Sequence, residues 1–139
     1  MKHTAIEGNV HTRGLHGTSL AAAESIARQG FHDPNDAGVY FAVQKSLAQR
    51  YAARMGGGDP HAIISAIFPP HPEEPGSQGD FREVQLSGPE ITAITVARIA
   101  IFNPDGTKNP AESARLMAIL QEARDLTQQP TDTPIVCSR

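Results

Sequence analysis

The sequence predicts an α+β domain. Apolar residues recur at helical spacing early in the chain and again near its end, short β-branched runs gather between them, and no strict strand-helix-strand alternation links them. At 139 residues, 39% hydrophobic and 19% charged, the chain fits one domain over 1–139 with a single modest core.

The elements follow in order. Gly14 to Ser19 leads into Leu20, Ala23, Ile26 and Ala27, an apolar helical series with Thr18 or Ser19 as N-cap and Gly30 as its stop. After the turn residues 32–36, Gly38 to Val43 is a β-branched and aromatic run that reads as a buried strand. A second helix is expected, capped by Ser46, with Leu47, Tyr51 and Met55 on one face and Gly56-Gly57-Gly58 ending it. Ala62 to Phe68, the most apolar stretch, is too short for a typical helix and reads as a central strand closed by Pro69 and Pro70. The Pro- and Gly-rich segment to Asp80 reads as a surface loop. Strands are expected over Arg82 to Leu86 and Ile94 to Phe102, joined by a turn at Ser87-Gly88-Pro89. Asn109 and Pro110 open a last helix over 109–127 as N-cap and N1, with Leu116, Ile119, Leu120 and Ala123 as its buried stripe. Pro134 to Cys137 is a candidate edge strand, and no internal repeat is present.

Bulk chemistry narrows the function classes. A net charge of −3 and a pI near 6.0 give no general field for polyanions, so nucleic acid is not favoured as a partner. Cys137 is the single cysteine, which excludes an internal disulfide and any multi-cysteine zinc site and suits a reducing cytoplasm. No run approaches the roughly 18 apolar residues of a membrane span, so no membrane partner is expected. His3, His11, His32, His61 and His71 match no metal-ligand spacing, and no metal is expected.

Four features stand out chemically: His16-Gly17-Thr18 at a strand end, Tyr40 in a strand, Tyr51 on the helix that follows, and Glu83 opening a later strand. Singly, each has an ordinary explanation. A histidine after a strand is usually a surface or hydrogen-bonded one, paired tyrosines are usually core residues, and a glutamate beside Arg82 is usually a solvated charge. Phe41, Ile26 and Ile64 are assigned to the core alone.

Order and context change the weight. His16-Gly17-Thr18 is followed by Ser25-Ile26 and Gly30-Phe31; Gly38-Val39-Tyr40-Phe41-Ala42 is followed by Tyr51-Ala52, with the tyrosines eleven positions apart; then come an apolar strand and Glu83-Val84-Gln85-Leu86. From about Leu15 to Phe102, this series resembles the ADP-ribosyltransferase superfamily of the histidine-tyrosine-glutamate type, which includes diphtheria-like toxins and poly(ADP-ribose) polymerase catalytic domains. The resemblance implies a compact fold with a central split, mainly antiparallel sheet flanked by helices, and NAD as co-substrate. His16, Tyr40 and Glu83 would be the catalytic constellation, and His16, Gly17, Thr18, Gly30, Phe31, Tyr40 and Tyr51 the NAD-binding set.

The chemistry suits those residue types. Breaking the nicotinamide-ribose bond builds oxocarbenium-like charge that a carboxylate, here Glu83, stabilises. By resemblance Glu83 also bonds a hydroxyl of the nicotinamide ribose, His16 bonds the adenosine ribose, and the Gly17 backbone holds the carboxamide. Tyr40 and Tyr51 sandwich the nicotinamide ring, and Gly30 and Phe31 meet adenine. No Gly-x-Gly-x-x-Gly element follows a strand, so NAD would bind without a Rossmann unit.

Two departures matter. Ala48 stands where the polymerase branch usually carries a serine that bonds the nicotinamide amide, a loss of about 1 kcal/mol. Phe81 stands where arginine-specific transferases carry an acidic or amide residue, so arginine is not supported as acceptor. The resemblance places acceptor recognition on the loop Pro69 to Asp80, and the short chain favours transfer of one unit.

The implied activity is mono-ADP-ribosylation of a protein or other macromolecular acceptor. The alternatives are an NAD glycohydrolase and a non-catalytic module binding NAD or ADP-ribose. A toxin or effector of this kind would act in the cytoplasm, or reach a target cell without a cleavable N-terminal signal, and would be met by an immunity or antitoxin protein.

Overall fold

The computed structural model describes residues 3–6, 9–32, 38–69 and 83–128. In chain order its elements are β1 (His3–Ile6), β2 (Asn9–Ser19), α1 (Leu20–Gln29), β3 (Val39–Ala42), α2 (Lys45–Gly56), β4 (His61–Phe68), β5 (Glu83–Leu86), a 3-10 helix (Gly88–Ala93), β6 (Thr95–Phe102) and α3 (Pro110–Gln128). The α+β class is as the sequence predicts. Every described strand pairing is antiparallel, in the order β5-β3-β2-β4-β6, with β1 on the first part of β2.

Strand alternation sorts the side chains into two apolar layers. Phe41, Ile64, Phe68, Val84, Leu86, Ile99 and Ile101 meet Ala23 and Ala27 of α1 and Leu116 and Leu120 of α3 on one face. The smaller layer on the other face joins Ala42, Ile63 and Phe102 to Ala48 and Ala52 of α2. Between Ser65 and Ala66 the β4-β6 register shifts, so Val96 and Ile99 reach the same layer although three positions apart. On β6, the amides of Ile99 and Ile101 are covered by α3, where Met117 Sδ accepts at 3.2 Å and Ser113 Oγ at 2.8 Å.

The caps explain where helices start. Ser19, one of the two expected residues, accepts the Ala22 amide through Oγ at 3.2 Å, and Gly30 closes α1 at φ 80, donating its N–H to the Ile26 carbonyl. Asn109 Oδ1 accepts from the Glu112 amide at 3.1 Å, as its N-cap role requires.

Several expectations are corrected. Ser46 lies inside α2, whose N-cap is Gln44 without a side-chain bond. Leu47, Tyr51 and Met55 follow one another along α2 as expected, while the residues it buries on the sheet are Ala48 and Ala52, because the helix lies against the β2 backbone at Gly17; Met55 is exposed. The turn at Ser87 extends into the 3-10 helix, stabilised by a reciprocal Ser87–Glu90 capping box that competes with strand pairing. On α3, Ala123 is only half-buried and Met117 packs against the core beside Leu116 and Leu120. Strand β1 is additional to the expected elements, since the first ten residues carry no clear alternation. The loop 70–80 and the segment 134–137 lie outside the described residues. No described helix is long and apolar enough to cross a membrane.

Candidate functional site

The sheet parts between β2 and β3. Those strands share one register pair, Leu15 with Ala42, whereas β2 pairs with β4 from Thr12 to Ser19 and β3 pairs with β5 along its whole length. Beyond Leu15 the two backbones separate, and a cleft of about 820 Å³ opens in the gap. Pockets for small ligands span roughly 300–1,000 Å³.

His16, Gly17 and Thr18 supply the β2 wall and Val39 and Tyr40 the β3 wall; Gly30 and Phe31 close it from the end of α1, and Tyr51 and Met55 from α2. All seven residues expected to bind NAD therefore border one cleft, although they come from four separate elements.

His16 holds the two walls together. Its Nδ1 lies 2.9 Å from the Tyr40 carbonyl oxygen. A carbonyl only accepts, so Nδ1 carries the proton and the neutral ring keeps Nε2 as an acceptor. Phe31 meets the ring edge-on at 5.2 Å and Phe41 lies at 5.6 Å. Burial among these rings pushes the imidazole below its ordinary pKa of 6.5, against the raising effect of the Tyr40 carbonyl bond.

Gly17 is required by packing. A Cβ there would stand 2.2 Å from the Ala48 carbonyl oxygen and 2.7 Å from the Ala52 amide nitrogen, so only glycine lets the backbone of α2 approach this strand. That approach brings Tyr51 to the cleft.

Tyr40 departs from the buried position expected of it: 47% of its surface is exposed, while Val39, Phe41 and Ala42 are buried. Alternation puts its ring on the α2 side of the sheet, opposite Val39 and Phe41, where it borders the cleft. Tyr51 is half-buried, and the Arg54 guanidinium lies 5.8 Å from its ring centroid in cation-π contact. Ala48 is fully buried in the α2 layer with Ala42, Ile63 and Phe102 and does not border the cleft.

Glu83 begins β5, where its backbone stands opposite Ala42, two positions along β3 from Tyr40. Ile26, assigned to the core alone, also lines the cleft, whereas Phe41 and Ile64 are fully buried as expected.

Sequence reasoning missed other lining residues. Ala22, Ser25 and Ile26 make a second stripe of α1 beside its Ala23 and Ala27 core stripe, and Met55 follows Tyr51 by one turn of α2. The three- and four-residue spacings were the available signal. Leu15, His32 and Gly38 had none, because they reach the cleft only through the sheet split and the ends of loops.

Comparison with protein-family models, curated proteins and solved structures found no match.

Proposed function

We propose that the chain is an NAD-dependent mono-ADP-ribosyltransferase acting on a macromolecular acceptor. The observation that supports this reading is the convergence of His16, Gly17, Thr18, Gly30, Phe31, Tyr40 and Tyr51 on one cleft. Residue type and order along the chain single out that same set through the resemblance.

In this reading NAD lies in the split of the sheet, with nicotinamide between Tyr40 and Tyr51 and the adenosine ribose hydroxyl donating to Nε2 of His16. A neutral imidazole suits that role, because its free nitrogen accepts a hydrogen bond from a hydroxyl. The bond between the ribose anomeric carbon and the nicotinamide nitrogen breaks, and nicotinamide leaves with the bonding pair. A lone pair of the acceptor forms the new bond from the opposite face, and the acceptor's proton passes to water. The Glu83 carboxylate stabilises the positive charge that develops on the ribose.

The test is incubation of the purified chain with NAD labelled in its adenylate portion and with a cell lysate, comparing wild type with Glu83→Gln. Nicotinamide release with label transferred to a macromolecule is the expected result, lowered about a hundredfold or more in the variant. NAD loss without transfer would make the chain a glycohydrolase. NAD binding without turnover would make it a binding module, and equal activity in both proteins would remove Glu83 from the mechanism.

A further inference from the structure

Although the chain carries a net charge of −3, its charges are sorted by layer. On the α1/α3 side cations and acids are nearly matched: Arg28 pairs with Glu24, Arg115 pairs with both Glu24 and Glu112, and Arg124 stands on α3 with Glu122 and Asp125. The other side lacks that balance. There α2 carries Lys45, Arg50 and Arg54, all exposed, and no acidic residue.

Two sheet residues join them. Arg13, Leu15 and Gly17 alternate onto one face of β2, the face on which Gly17 meets α2. Arg98 stands opposite Ser65, which stands opposite Leu15, and directly paired residues share a face. Both arginines are exposed, and none of the five cations has a carboxylate partner among the described residues. The acids on this side include Asp59, in the turn beyond Gly57, and Glu83, whose backbone stands opposite Ala42 of the α2 layer at the far side of the cleft.

We propose that this side of the sheet docks a single nucleic-acid strand, whose phosphates run along α2 and whose bases reach the cleft lined by Tyr51 and Met55 of the same helix. Cations without carboxylate partners beside aromatic rings that border a cleft are the pattern by which single strands are held, with phosphates on the cations and bases stacked on the rings. Tyr40, 47% exposed, and Tyr51, with Arg54 over its ring, provide the aromatic part. An anionic membrane fits less well, because these rings border a cleft and do not project from a flat face.

Only the strand's role as acceptor rests on the transferase reading. In that role a lone pair of a base nitrogen or a hydroxyl forms the new bond to the ribose carbon, nicotinamide leaves with the old bonding pair, and the acceptor's proton passes to water.

Binding of fluorescein-labelled single-stranded DNA and RNA by the full chain, measured by anisotropy across a salt series, tests the proposal. The expected result is an affinity whose logarithm falls with log salt at a slope of about −0.7 for each phosphate contacted. Arg50→Glu/Arg98→Glu should weaken binding by about tenfold or more at low salt, while Arg28→Glu on the opposite face should leave it within about twofold. Absence of binding at low salt, equal loss in all variants, or binding to anionic phospholipid vesicles in place of either oligonucleotide would overturn it. NAD consumption measured in the same samples separates the two readings: turnover without strand binding sinks the docking surface alone, and strand binding without turnover sinks the transferase alone.

Discussion

The imidazole of His16 on β2 donates to the backbone carbonyl of Tyr40 on β3 across 2.9 Å, close to the single register pair that joins those strands. A side chain thus does at the mouth of the cleft what a backbone ladder does elsewhere in the sheet. The same bond sets the tautomer that leaves Nε2 free to accept.

Protonation of His16 is opposed by burial, and the sign of its pH dependence follows. Its folded pKa lies below the unfolded value of 6.5, so the unfolded chain binds the extra proton first. The stability contributed by the neutral ring is complete above pH 6.5 and is lost as pH falls from there through the depressed folded value. Urea midpoints should therefore fall with pH over that window in wild type, and less steeply in His16→Gln, which keeps an amide donor for the Tyr40 carbonyl. Parallel curves for the two proteins would count against a resisted protonation.

Tyr40→Ala separates binding from folding. Because the ring is 47% exposed, its removal should shift stability by no more than about 0.5 kcal/mol. The lost stacking should weaken NAD binding by about 0.5–1.5 kcal/mol, read by calorimetry as a several-fold rise in Kd. Unchanged affinity would take the ring out of the binding site.

Gly17→Ala should destabilise the fold by about 1–3 kcal/mol, since its Cβ would press on the α2 backbone, which cannot give way as a flexible side chain does. The denaturant midpoint measures this. Ala48→Ser supplies the contrast: position 48 is fully buried in an apolar layer away from the cleft, so a hydroxyl there should lower stability without tightening NAD binding. Tighter NAD binding in this variant would show that the serine of the polymerase branch has its counterpart here after all.

Asn109→Ala should cost about 1 kcal/mol in thermal or denaturant unfolding, a typical loss for an N-cap. Asn109 caps α3 through Oδ1 and also donates from Nδ2 to Asn103 at 3.0 Å, tying the helix start to the end of β6. Asn109→Asp keeps the capping oxygen and should recover most of the loss.

Local pattern determined much of this protein. The helical spacing of Ala23 and Ala27, the capping oxygens of Ser19 and Asn109, the apolar run through Ile63 and Ile64, and Gly30 after α1 act over a few residues, where the neighbours that matter are already written in the chain. The candidate NAD contacts were legible as an ordered set of residue types. Tertiary structure alone decided the rest. That β2 and β3 meet at one pair and then part depends on long-range registers, and so do the opening of the cleft, the exposure of Tyr40 and the burial of Ala48. The sorting of charge belongs to the same class: a net charge of −3 is a sum over residues and holds no direction, whereas strand alternation and helix placement put Arg13 and Arg98 on the side of Lys45 and Arg50. A local signal needs only the chain's near neighbours, but a surface is made by residues that folding brings together.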